Sequence, residues 1–383
     1  MGLQAKRFDE VALPPPGAGE GADRKTMTTQ GESIGFLARL LSTSTPSGFE
    51  GPGREIMRRH LSRYCDDVRT DVHGNLIATR NPSGQPKIML MAHIDEIGLM
   101  VSHITEEGYI RFKAVGGVDA SLLPTQRIRI HAEKGAVRGI IGKEAIHLME
   151  DESEKSKIKL RDLWIDIGAR DREGAQQHIA VGDVVGFDAP PIWMENDLLA
   201  CHGLDDKAGC FVVAEAMRLI ATREMQASVH CILTTQEEID FRGARTATFG
   251  VDPDIGIVVD GDHASDYPDA NKADLGDIFL GRGPILYRGA GVTANISLAL
   301  AASTRAGCIL HQVSALPGTT GTDADAVFTT RRGIATGLVG IPMRYMHTPA
   351  EVVSLADLRA AASLLASYLS GSHWGLSEEG KNQ

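Results

Sequence analysis

Five residues combine types and positions that could hold metal ions: His93, Asp205, Glu238, Asp260 and His347. His93 closes the apolar run 87–92, Glu238 follows the run 229–235, Asp260 follows 255–259 and His347 follows 337–342. Asp205 precedes the helical-period run 210–220. In open α/β sheets, sites form at the ends of such strands. Two imidazoles and three carboxylates form a hard-to-borderline donor set suited to zinc, cobalt or manganese. One bridging carboxylate would let five ligands hold two metal ions with open positions, the arrangement for two-metal hydrolysis. Glu237 adjoins Glu238, and successive side chains of an extended segment point to opposite sides. Glu237 therefore suits proton transfer while Glu238 ligates. Asp95, two residues after His93, could fix the tautomer of that imidazole through its second ring nitrogen. Asp205 or Asp206 could equally serve as the N-cap of the helix that follows them.

The elements that must position these residues read as an α/β framework. Apolar positions 36, 37, 40 and 41 have helical spacing, and a second amphipathic helix is expected at 53–65. Strands are expected at 72–78, 87–92, 229–235, 255–259, 308–313 and 337–342, with helices at 210–220, 294–306 and 355–369, the last capped by Ser354. Between 100 and 200 the pattern changes to short strands at 126–131, 137–142, 163–167 and 184–187, with Gly116-Gly117, Gly135, Gly142 and Gly182 supplying turns. This is the pattern of a small all-β domain inserted into an α/β domain. The expected division is a disordered tail at 1–30, an α/β catalytic domain at 31–98 and 201–372, the inserted β-rich domain at 99–200, and a tail at 373–383. Met27 is an alternative start, and the charged segment 150–159 reads as a mobile loop.

The 383 residues are 43% hydrophobic and 23% charged, values ordinary for a soluble globular chain. A formal charge of -11 argues against nucleic acid or an anionic membrane as partner. Five scattered cysteines with no Cys-x-x-Cys pair suggest reduced thiols and a cytoplasmic location, and no apolar run reaches membrane-spanning length. His131, His147 and His178 lack ligand spacing, and Arg288 reads as solvated rather than as a contact for an acidic substrate.

Several segments together resemble the glutamyl aminopeptidase family of cobalt- or zinc-dependent enzymes, which includes the tetrahedral aminopeptidases and proteins once named cellulases. They are His93-Ile94-Asp95-Glu96-Ile97-Gly98, Leu204-Asp205-Asp206-Lys207-Ala208-Gly209, Gln236-Glu237-Glu238 with Arg242-Gly243-Ala244, and Leu280-Gly281-Arg282-Gly283-Pro284. Gly321-Thr322-Asp323-Ala324 and residues 341–349 extend the likeness, as do Gly142-Lys143 with Ile146-His147 and residues 163–169 in the insertion. The resemblance spans about 33–372. It implies a mixed-sheet, di-metal aminopeptidase-type catalytic domain with an inserted all-β dimerisation domain. It also implies two divalent metal ions per subunit (zinc or cobalt, with manganese a third option), short peptide substrates, and a dimer-based homo-oligomer, a dodecamer enclosing its active sites. By position it assigns His93, Asp205 and Asp260 to one ion and Asp205, Glu238 and His347 to the other, with Asp205 bridging. Asp95 would orient His93, Glu237 would be the general base and then the acid, and the Asp205–Asp206 peptide bond would be cis. The chain departs from the pattern at Ile239-Asp240-Phe241 and at residues 261–266, which leaves substrate choice open. A related di-metal amidohydrolase of small N-acylated or amide metabolites is the alternative activity. A silent scaffold is disfavoured because no ligand and no base is missing. A glycosidase is disfavoured because its two carboxylates must be free of metal.

Overall fold

The computed structural model describes residues 24–376, apart from residue 146 and residues 148–157. Most of the segment read as a mobile loop, and parts of both tails, lie outside the described residues. An eight-stranded mixed sheet forms the centre, in the order Asp67–Thr70, Leu76–Arg80, Ser228–Thr234, Lys87–His93, Ile255–His263, Ala335–Met343, Ile285–Arg288 and Gln312–Ala315. The four strands from Ser228–Thr234 to Ala335–Met343 run parallel. Their unbroken apolar runs follow from burial on both faces. On one face, helices Leu204–Ile220, Leu355–Leu369 and Ala294–Ala306 pack over Leu90, Ile257 and Val339. On the other, Arg242–Val251 and Asp323–Phe328 cover Met89, Met91, Ile232 and Val258.

A closed six-stranded barrel is built from Gly98–Ile104, Ile110–Val115, Trp164–Asp166, Gly135–Gly142, Arg127–Ala132 and Val184–Phe187. Its interior holds Leu99, Val101, Ile110, Ile128, Ile130, Ile165 and Val185. Four of these strands coincide with the alternating segments of the sequence. Gly98–Ile104 and Ile110–Val115 are strands the alternation does not single out. A third sheet pairs Ile192–Trp193 with Leu198–Cys201, and Leu198–Cys201 with Glu351–Ser354. It leads the chain directly to Asp205.

Three sequence expectations are corrected. The strand expected at 72–78 begins at Leu76, because Asp71 accepts the backbone N–H groups of His73, Gly74 and Asn75 and folds that stretch into a turn. The strand expected at 308–313 begins at Gln312, after Cys308 takes a left-handed conformation. The first helix starts at Arg24, inside the stretch read as a tail. The Ser354 cap is as expected: its hydroxyl accepts the Ala356 N–H at 3.2 Å.

Candidate metal centre

Strand ends, the start of helix Leu204–Ile220 and the turn Glu237–Asp240 bring the five candidate residues to one place. Asp205 lies between the two imidazoles, with Oδ1 3.1 Å from His93 Nε2 and Oδ2 3.3 Å from His347 Nε2. Asp260 Oδ1 is 3.7 Å from His93 Nε2, and Glu238 Oε2 is 3.4 Å from His347 Nε2. The result is two adjoining groups, His93 with Asp206 and Asp260, and Asp205 with Glu238 and His347, and Asp205 also reaches His93 through its other oxygen. His93, Asp205 and Asp260 are buried, whereas the His347 side chain is 39% exposed and faces the open side.

Asp206 also lies close to His93 and Asp260. Both of its oxygens, however, accept backbone N–H groups: Oδ1 from Gly209 at 2.9 Å and Oδ2 from His93 at 3.2 Å. It is the cap of the helix that follows, while Asp205 is left to face the imidazoles. The peptide bond between them is cis, as the resemblance implies.

The Glu pair is arranged differently from the extended reading. Glu237–Asp240 is a helical turn entered through Gln236 in the left-handed region, so the two carboxylates diverge by helical rotation rather than by strand alternation. Glu237 Oε2 comes within 3.8 Å of His93 Nε2, and Glu238 reaches His347. Asp95 holds this turn: its oxygens accept the N–H of Glu237 at 3.1 Å and of Glu238 at 3.2 Å, and the Ser47 hydroxyl donates at 2.7 Å. His93 Nδ1 lies 3.0 Å from the Asp95 backbone carbonyl and 3.7 Å from its carboxylate, so the nearer contact to the ring comes from the main chain.

Glu351 was not singled out by sequence reasoning. Buried at 1% exposure, it accepts the N–H of Asp205 at 3.1 Å and of His347 at 2.9 Å, fixing the backbone of both residues. The only sequence signal is an acid four residues beyond His347. Lys207 and Glu96 form a buried pair at 2.5 Å behind the centre, and Lys207 Nζ also donates to the Thr43 carbonyl. Burial works against the charge on Glu96, but Lys207 holds its carboxyl below the usual range. Asp323 is buried against the Thr234 hydroxyl, which donates at 2.5 Å. The barrel contributes Gly116-Gly117: a Cβ on Gly117 would lie 2.9 Å from His347 Nδ1, so only glycine allows that approach.

The electrostatics of the cluster are those of a cation site. Burial pushes the carboxyls of Glu237, Glu238, Asp260 and Asp323 up. Burial also opposes the charge on Asp205, but His347 and His93 hold it well below the usual range. The hydrogen bond that His347 donates to Asp205 raises the imidazole to about 9. Two imidazoles supply too little positive charge for so many buried carboxylates, and Glu238 Oε1 is buried with no hydrogen-bond partner. Divalent cations would supply both the charge and the missing partner, so the donor set fits metal ions.

The fold is that of the metal-dependent aminopeptidases. The chain matches the M42 glutamyl aminopeptidase family over residues 74–364. It is 33% identical to lysyl aminopeptidase of Pyrococcus furiosus over 326 residues, covering 84% of this chain and 92% of that protein. The TET aminopeptidase of Thaumarchaeota archaeon SCGC AB-539-E09 superposes with a TM-score of 0.86 at 29% identity, over 90% of this chain and 97% of that one. The TET1 peptidase of Pyrococcus horikoshii, which can assemble into a tetrahedron or a large octahedral shell, gives 0.78 at 29% identity, over 88% and 99%. The chain belongs to the M42 glutamyl aminopeptidase family and is a hydrolase of the aminopeptidase class. No helix among the described residues is long and apolar enough to cross a membrane.

Proposed function

We propose that the protein removes N-terminal residues from short peptides in the cytoplasm. His93, Asp205 and Asp260 would hold one divalent ion and Asp205, Glu238 and His347 a second, zinc or cobalt before manganese. The observation that carries this reading is the split of the Asp205 carboxylate between the two imidazoles, at 3.1 and 3.3 Å. Bound there, such ions supply an acidified water and polarisation of the scissile carbonyl. Glu237 takes a proton from the attacking water on its carboxylate and returns it to the nitrogen of the leaving amine as the amide bond breaks. Asp95 orients that carboxylate through the Glu237 N–H, and Glu351 fixes Asp205 and His347. Asp206 remains the helix cap.

The assembly we propose is a dimer-based homo-oligomer, a dodecamer joined through the barrel with its active sites facing a chamber. The likeness to the Pyrococcus horikoshii shell-forming peptidase supports it. All five cysteines are free, which suits a reducing compartment. Protein stripped with a chelator and reloaded separately with zinc, cobalt or manganese, then offered tripeptides to decapeptides, tests the activity. Stepwise release from the N-terminus is expected, lost on stripping and restored by reloading. Equal activity in the stripped protein, or cleavage only of N-acylated amides, contradicts the reading.

A further inference from the structure

The strand that carries Asp260 continues past it. Gly261, Asp262 and His263 stay in the sheet, paired with Ile341, Pro342 and Met343. Residues two apart on a strand share a face at a spacing of about 6.5–7 Å. Asp262 therefore stands on the same face as the candidate ligand Asp260, one step nearer the open end of the sheet.

Asp262 is half-buried and held in place. The Tyr287 hydroxyl donates to its Oδ2 at 2.5 Å, and the His263 N–H donates to Oδ1 at 2.7 Å. Tyr287 is buried and reaches Asp262 across the intervening strand, because residue 340 is glycine and any Cβ there would overlap the phenol. Gly340 is the register partner of Asp260, so the hydroxyl passes beside the candidate metal centre. The neighbouring cations are directed elsewhere. Arg344 is taken up by a two-pronged pair with Asp266, at 2.7 Å on each side. Arg288 follows Tyr287 in its strand, so its side chain leaves by the opposite face and is exposed. Tyr345 is 49% exposed two residues before His347, and its ring lies 6.1 Å from that of Tyr267, which follows Asp266.

We propose that Asp262 is the acidic end of the pocket for the substrate's first side chain, selecting peptides that begin with Lys or Arg. The proposal rests on the aminopeptidase reading above and adds the substrate class. An ammonium or guanidinium makes a charge-assisted hydrogen bond to a fixed carboxylate. A glutamyl side chain would meet like charge.

Aminomethylcoumarin amides of Lys, Arg, Leu and Glu test it, on zinc- or cobalt-loaded wild type, Asp262→Asn, Asp262→Ser and Tyr287→Phe. The wild type is expected to show a higher kcat/KM for Lys and Arg than for Leu and Glu. The Lys-to-Leu ratio should fall about tenfold or more in both Asp262 variants and by less in Tyr287→Phe, with metal content per chain kept. A wild-type preference for Leu or Glu overturns the proposal. So does an unchanged ratio in the Asp262 variants, or loss of metal from them. Failure of the metal-loaded wild type to release any of the four residues would overturn the aminopeptidase reading and this proposal with it, a failure distinct from a misplaced preference.

Discussion

Asp205 and Asp206 share a peptide bond yet have different neighbours, one facing two imidazoles and the other two backbone N–H groups. Sequence alone leaves both open as caps, because capping depends on which carboxylate the chain turns toward the helix. The positions of His93, Glu238, Asp260 and His347 were legible because each follows an apolar run. Glu351 was not, since an acid in the run Glu351-Val352-Val353 looks like ordinary strand polarity until its two N–H donors are seen. Glu351→Ala removes the acceptor from both backbones while leaving every candidate ligand side chain. Metal affinity is expected to fall about 10- to 100-fold, as for other groups that orient ligands, measured by competition with a chromogenic chelator. Unchanged affinity would mean that Glu351 does not position the site.

Among the elements, the long parallel strands were readable from composition, whereas the ends of strands were not. The strand Ile255–His263 outruns its apolar core because Asp262 and His263 pair with Pro342 and Met343, a contact set by the neighbour rather than by their own type. Helix Leu204–Ile220 is anchored by Lys207 against Glu96. Lys207→Met strands a buried carboxylate and should cost about 3–5 kcal/mol of stability in urea unfolding. A cost below about 1 kcal/mol would show that the pair is dispensable. Helices Arg24–Leu41 and Gly51–Leu61 meet where His60 stacks on Phe36, ring centroids 3.7 Å apart. Burial, then Arg63, Arg218 and Arg39, lower His60 from 6.5 to about 4. Glu215 Oε1, 4.0 Å away, is the acidic group facing it. The neutral ring is thus favoured in the folded state. Its contribution is complete above about pH 6.5 and is lost as pH falls toward 4. His60→Gln should flatten that part of the stability–pH curve. An unchanged curve would assign the acid sensitivity elsewhere.

At the scale of the whole molecule, the sheet edge, the barrel and the three-stranded sheet converge on one cluster: the barrel through Gly117 beside His347, the small sheet through Glu351. The all-β insertion was legible from its alternating strands and glycine turns, but its approach to the site was not, because contact between distant segments leaves no local pattern. Light scattering should give a mass that is an even multiple of the 41.0 kDa chain, twelvefold for a dodecamer. A monomer at working concentration contradicts the proposed assembly. The central claim is that adjacent Glu237 and Glu238 divide proton transfer from metal binding across a centre bridged by Asp205. Metal content per chain, measured with turnover on the same samples, tests it most directly. Wild type and Glu237→Gln should each hold two ions per chain, with turnover of Glu237→Gln reduced about 10²- to 10⁴-fold, while Glu238→Ala should lose one ion and its activity. Loss of an ion from Glu237→Gln with both retained in Glu238→Ala would contradict the assignment, as would near-normal turnover in Glu237→Gln.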